Sequence, residues 1–131
     1  MNIKILDEIT NNKFVAEDLD SELLGVVDIN LDPVMDFIYV DIQKYENIIL
    51  VQNWLGLYGA YDLDYKEVVS PNYLSVVESK GDYLVTKLDG KRGVLSSNGS
   101  EKIPCKYDNI QQISNDIYIV RNDDEGKEIR L

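Results

Sequence analysis

Gly25, Gly59 and Gly93 stand 34 residues apart, and Tyr39, Tyr73 and Tyr107 keep the same interval. Five residues after each Gly comes a turn-forming Asn or Asp (Asn30, Asp64, Asn98), and seventeen after it a β-branched residue (Ile42, Val76, Ile110). Ile49, Tyr83 and Ile117 align further on, as do Val51, Val85 and Ile119. So many columns in one register make the chain a series of copies of one unit. A period of this size implies stacked supersecondary units, each unable to bury its apolar face alone.

Helical repeat arrays also use a period near 34, so the residue types must decide between helix and strand. Only two Ala are present, Ala16 and Ala60, whereas Val, Ile and Tyr are abundant and suit a pleated, half-buried surface. The expected fold class is therefore all-β: tandem hairpin or meander repeats stacked into one body. Approximate units are 14–47, 48–81 and 82–116, with a truncated copy at 117–131 that pairs with the last full repeat and caps the stack. No Gly/Ser-rich or low-complexity stretch reads as a linker, so residues 1–131 are expected to form a single repeat domain.

The third copy reads most clearly. Asp82 to Leu88 is a strand, Asp89-Gly90-Lys91 a tight turn, and Arg92 to Ser97 the return strand. Asn98-Gly99 then predicts a type I′ hairpin turn. Ser100 to Tyr107 runs back, with Pro104 marking an edge or a break in the ladder, and Asp108-Asn109 closes the meander. Copy two places Leu50 to Trp54, Gly56, Tyr58 to Leu63 and Asp64-Tyr65 in the same roles. In copy one Ser21-Glu22 replaces the hairpin glycine, and Val15, Leu19 and Leu23 fall at helical spacing, which admits a short helical turn near the N-terminus.

The stretch Asp89 to Ile110, DGKRGVLSSNGSEKIPCKYDNI, resembles the WG-repeat family of bacterial β-hairpin repeats. The likeness weakens in copy two (Leu57-Tyr58-Gly59, Pro71, Tyr73) and is faint in copy one (Leu24-Gly25, Tyr39). The Trp that names the family is replaced by Leu24, Tyr58 and Arg92, and the sole Trp, Trp54, lies in another column. The resemblance implies an all-β hairpin fold and binding in place of catalysis. It gives Gly93 a role in close backbone approach, Asn98-Gly99 the turn and Tyr107 packing between units.

Charge is the second informative feature. The chain carries 24 acidic and 13 basic residues, a net of −11, and the imbalance is not evenly spread. Residues 1–67 hold 14 acids against four bases, whereas residues 68–131 hold 10 against nine. Such a field repels nucleic acid and anionic membranes and attracts a basic partner.

Little supports catalysis. With no His, imidazole-based triads and histidine zinc sites are excluded. Gly90-Lys91 is a hairpin turn and not a phosphate loop. Asp28-Ile29-Asn30-Leu31-Asp32 opens like a calcium loop but has Pro33 where a sharp Gly turn is needed and Tyr39 where the last carboxylate belongs, so it reads as Asx-turn chemistry. Asp123-Asp124-Glu125-Gly126 reads as a charged hairpin tip. The lone Cys105 fits a small core residue in a reducing compartment. Residues Met1 to Lys13 lack the pattern of a signal peptide and no apolar run is long enough for a membrane helix, which leads to the expectation of a cytoplasmic protein. No cofactor or metal is expected.

The leading expectation is a non-catalytic protein-binding module, in its sharpest form a bacterial immunity or inhibitor protein that masks a basic partner such as a nuclease toxin. Asp18, Asp20, Glu22, Asp28, Asp32, Asp36 and Asp41 would carry the field. Trp54, Tyr58, Tyr61 and Tyr65 would supply desolvated anchors, because Tyr39, Tyr73 and Tyr107 recur with the unit and read as stacking residues. Two alternatives stand beside it: a peptide- or carbohydrate-binding repeat protein using exposed aromatics, and a small enzyme using paired carboxylates.

Overall fold

The computed structural model describes residues 2–123 and 125–131, and its contacts group into two compact units, Met1–Pro71 and Asn72–Leu131. Among the described residues there is no helix. The regular structure among these residues is fourteen strands.

The first unit is a meander. β1 (Ile3–Thr10), β2 (Lys13–Asp18), β3 (Leu24–Asp28), β4 (Pro33–Lys44), β5 (Ile49–Asn53), β6 (Tyr58–Tyr61) and β7 (Glu67–Tyr73) lie in chain order in one seven-stranded sheet. The anticipated helical turn is absent. Val15 is on β2, and Asp18–Leu23 is a tight loop in which a single Glu22 N–H to Asp18 C=O bond (2.7 Å) is not continued. The residues at helical spacing do not share a buried face, since Leu19 is exposed while Val15 is buried in a strand.

In the second unit β8 (Ser75–Ser79), β9 (Asp82–Thr86), β10 (Arg92–Leu95) and β11 (Glu101–Tyr107) form a four-stranded sheet in the order β11-β10-β9-β8. β12 (Asn109–Ser114), β13 (Ile117–Asn122) and β14 (Glu125–Arg130) form a three-stranded sheet. The third copy forms the expected meander of β9, β10 and β11, which ends at Tyr107; the chain bends at Asp108 and enters β12 of the other sheet, which does not pair with β11. Val40 and Leu74 occupy the same column. At Val40 the long β4 shifts register between Tyr39 and Asp41, and at Leu74 the chain breaks between β7 and β8. The truncated fourth copy begins with β13, which pairs with β12 of the copy before it. Of the expected acidic tip beside it, Asp123 adopts a left-handed φ of 53°, and Asp124 lies outside the described residues.

The period has a physical cause at the three glycines. Arg92 pairs with Tyr107 and Val94 with Ile103, so Gly93 alone faces residues 104–106. Leu24 with Tyr39 and Val26 with Met35 repeat that register around Gly25. The crowded strand bulges over the glycine. A Cβ at Gly25, Gly59 or Gly93 would lie 2.7, 2.5 or 2.7 Å from the carbonyl oxygen of Met35, Val69 or Ile103. None of the three has a left-handed φ, so the need is for close approach, as the family resemblance implies for Gly93. Cys105 sits half-buried against Gly93, where burial pushes its thiol pKa up and keeps it protonated.

The turn at Asn98-Gly99 is not type I′. Only Gly99 has a positive φ (88°); Gly99 N–H donates to Ser96 C=O at 2.9 Å and Ser96 N–H to Ser100 C=O at 2.7 Å. This is the pattern of a type I turn with a G1 bulge. The same bonds recur around Asp28 and Asp62, with Leu31 (φ 68°) and Tyr65 (φ 64°) in the glycine's place.

Each unit has its own core. Val15, Val26, Met35, Tyr39, Ile42, Ile49 and Val51 are buried together in the first. Val94, Ile103, Tyr107, Ile110, Tyr118 and Val120 fill the second. Tyr39 and Tyr107 are thus core residues, in keeping with their place in the repeat.

Candidate partner-binding surface

The boundary of charge found in the sequence coincides with the boundary of structure. Residues 1–71 carry 14 acids and four bases, and residues 72–131 carry 10 and nine. Among the described residues every ion pair lies in the second unit: Lys91–Asp108, Lys102–Asp82, Lys102–Asp116 and Arg130–Glu128. Among the described residues no carboxylate of the first unit pairs with a cation; those that are bonded accept from backbone N–H groups or, at Asp41 and Glu67, from the side chains of Gln43 and Ser70.

The named acids divide by role. Asp18, Asp20 and Glu22 share the β2–β3 turn, where Asp18 Oδ1 accepts from Asp20 N–H at 3.0 Å. Asp28 and Asp32 flank the β3–β4 turn, and Asp28 Oδ1 accepts from the N–H groups of Asn30 (2.9 Å) and Asp32 (3.0 Å). Asp18 and Asp28 therefore shape their turns as well as charging them. The two turns lie at opposite ends of the short β3. Asp36 and Asp41 lie on β4, exposed and half-buried respectively. Asp41 Oδ2 accepts from Gln43 Nε2 at 3.0 Å, and Gln43 Oε1 accepts from Tyr45 OH at 2.8 Å.

The named aromatics separate similarly. Tyr61 is half-buried, with its ring edge-on to Tyr39 at 6.1 Å and the two hydroxyls 2.6 Å apart. Tyr65 packs against the core, and its hydroxyl bonds Thr10 Oγ1. Burial raises the phenol pKa of both residues. Tyr58 is half-buried opposite Gln52. Trp54 alone stands free, 72% exposed beside Leu55 at 61%, at the tip of the β5–β6 turn. That tip is braced: Asn53 Oδ1 accepts from Leu55 and Leu57 N–H at 3.0 Å each, and Asn53 Nδ2 donates to Pro71 C=O at 3.2 Å.

Two groupings were missed in the sequence. Leu6–Ile9 of β1 and Asp41–Lys44 of β4 line a cleft of about 500 Å³ in the first unit, with Val15 and Leu24 forming apolar wall. Asp7, paired with Val15, and Glu8, paired with Phe14, are both among the lining residues. Neither belongs to a repeat column, so periodicity gave no signal. In the second unit the buried Asp82 accepts from Lys102 Nζ (2.8 Å) and from Tyr118 OH, and Gln112 Nε2 donates to that same hydroxyl at 3.1 Å. Burial and Asp82 both raise the Tyr118 pKa. This network ties β9 and β11 to β12 and β13; Lys102 also reaches Asp116 at 3.9 Å, and Gln112 Oε1 is buried without a hydrogen-bond partner. Among the described residues no group of three or more His, Cys, Asp or Glu is arranged to hold a metal. At Asp28 the carboxylate is occupied by backbone N–H groups, as the Asx-turn reading expects.

The fold defines an all-β protein of tandem hairpin repeats. Residues 93–125, a single copy, match the family model of the WG containing repeat. No curated protein matches the chain. Among solved structures, the computationally designed Ika8 protein is similar with a TM-score of 0.43 and 16% identity over 93% of this chain, which spans 44% of the Ika8 chain. The computationally designed Ika4 protein gives 0.42 and 17% over 93% of this chain and 87% of its own.

Proposed function

We propose that this chain is a non-catalytic protein-binding module that docks a basic protein onto its acidic first unit. The observation that carries the reading is the segregation of uncompensated carboxylates onto residues 1–71, where no ion pair is made among the described residues. A general solubility requirement would distribute charge over both units. Uncompensated acids raise the local potential and accelerate encounter with a cationic surface. Trp54 and Leu55, held out on a braced turn, supply apolar area that an encounter of charges alone lacks. The narrowest form of the reading is an inhibitor that sets carboxylates where a nuclease would hold phosphates.

Affinity capture at low and high salt tests it, with the wild type beside a variant carrying Asp20→Lys, Glu22→Lys, Asp32→Lys and Asp36→Lys. These four positions avoid the turn-shaping Asp18 and Asp28. The reading expects a basic protein retained by the wild type at low salt and lost from the variant; equal recovery by both removes it. Inhibition of that partner's nuclease activity, if it has one, tests the narrow form.

A further inference from the structure

The first four strands are apolar on both sides, and the two sides are unequally covered. On one, Val15, Val26, Met35 and Tyr39 are buried in the core of the first unit. On the other, the register sets Ile5, Ala16 and Gly25 in one row and Glu8, Phe14 and Val27 in the next. Ala16 and Val27 form a buried floor, while Ile5 is 43% exposed. Phe14 and Phe37 are half-buried, and the Phe37 ring lies over Gly25, with a ring carbon 2.9 Å from where a Cβ would stand. In the second copy the matching row is Ile42, Val51 and Gly59, and there Ile42 and Val51 are buried in the core shared with the first copy. The side that the repeat uses for stacking is thus apolar and open at Ile5 in the first copy.

The only charged residues on this side of β1 and β2 are acids. Glu8 ends one row and Asp18 pairs with Ile3 beyond the other. Asp18 also opens the turn that carries Asp20 and Glu22. Lys4 and Lys13, the cations of these two strands, alternate onto the core-facing side, opposite Glu17 and Asp28 respectively. An apolar centre within a charged rim is the anatomy of a protein-binding face.

Resting on the proposed function, we infer that this side of β1–β3 is the face that receives the basic partner, which sets apolar side chains against Ile5, Phe14 and Phe37 and cations against Glu8 and Asp18. A second copy of the chain is a poorer occupant. Face to face, two copies would bring Glu8 and Asp18 against their own like charges, which disfavours association, whereas a cationic rim on the partner satisfies both.

The test is a titration of the ¹⁵N-labelled full chain with the capped peptide Lys-Leu-Leu-Phe-Leu-Lys, beside Lys-Ser-Ser-Ser-Ser-Lys and Glu-Leu-Leu-Phe-Leu-Glu. Saturable shifts from the first peptide should fall on residues 3–8, 14–18 and 25–27. Affinity should drop about tenfold for each of the other two, and similarly for the first peptide on the Ile5→Ser/Glu8→Gln double variant. Ile113→Ser, an equally exposed site in the second unit, should leave it unchanged. Equal binding of the three peptides, shifts spread evenly over all the acidic turns, or no saturable shift overturns the inference. A dimer of the chain in sedimentation equilibrium that Ile5→Ser dissociates would give the face to a second copy and overturn it too. If a captured basic partner binds the double variant as tightly as the wild type, this face is excluded while the acidic-unit reading stands. If the first peptide binds as described and no basic partner is captured, the wider reading fails and the binding face remains.

Discussion

Thr10 and Tyr65, 55 residues apart, meet hydroxyl to hydroxyl at 2.5 Å. Thr10 ends β1, and Tyr65 lies in the turn before β7, so the bond joins the outermost parts of a seven-stranded sheet. The sheet must curl for this to happen, which carries its apolar face inward around Tyr39, Ile42 and Val51. Tyr65→Phe should cost about 1 kcal/mol, and Thr10→Val combined with it should add little further, because the partner of the lost bond is gone. Urea unfolding of the two single variants and the double variant measures both effects.

Five tyrosines, Tyr39, Tyr61, Tyr65, Tyr73 and Tyr118, have phenol pKa values raised above the ordinary range, with burial the largest cause in each. The folded chain therefore holds these protons past the pH at which the unfolded chain releases them. Their stabilising contribution is complete below about pH 10 and is lost as pH rises above it. Phenolate absorbance of the native protein should lag behind that of the urea-unfolded chain and rise to meet it as alkali unfolds the protein. Coincident titration curves would contradict the burial of these rings.

The glycine column should tolerate no side chain. Gly25→Ala, Gly59→Ala and Gly93→Ala each drive a Cβ to within 2.7 Å of a facing carbonyl oxygen, and each is expected to cost about 2 kcal/mol or more. Gly81→Ala meets nothing within 4 Å and has only its positive φ (86°) to oppose it, so it should cost about 1 kcal/mol. Thermal melts of the four variants decide the ranking.

That column was legible because one steric demand imposes one residue type wherever the strand crosses. The all-β class was legible for a similar reason: Val, Ile and Tyr recur in step with buried positions such as Val26, Val51 and Val94. Turn geometry was less so. Asn98-Gly99 alone fits two hairpin types, and the choice is made by bonds from Ser96 that sequence does not display. The hydroxyl contacts of Tyr61 and Tyr65 were not legible, because the sheet curvature that brings Tyr39 and Thr10 to them leaves no mark in a repeat pattern. The cleft depends on that same curvature.

Leu31 marks a place where the sequence departs from the demand of its own repeat. It holds a left-handed φ of 68° in the position that Gly99 fills in the third copy, and its side chain is 56% exposed. Leu31→Gly should therefore stabilise the protein by about 1 kcal/mol, since the relieved backbone strain exceeds the little packing lost. A lower melting temperature would show that Leu31 makes contacts worth more than its strain.

Trp54 separates binding from folding. Trp54→Ala removes a side chain that the fold leaves in water, so stability should change by no more than about 0.5 kcal/mol. Affinity for a captured partner should fall by about 2 kcal/mol or more if the ring is an anchor. Calorimetry of the variant, alone and with the partner, measures the two effects separately.

The role of the acidic first unit is tested by the dependence of the captured partner's association rate on ionic strength, followed by stopped-flow from about 0.05 to 1 M salt as the screening length shortens to about 3 Å. Docking onto the uncompensated acids of residues 1–71 predicts a steep fall in that rate over the range, with dissociation changing much less. An association rate indifferent to salt would contradict it.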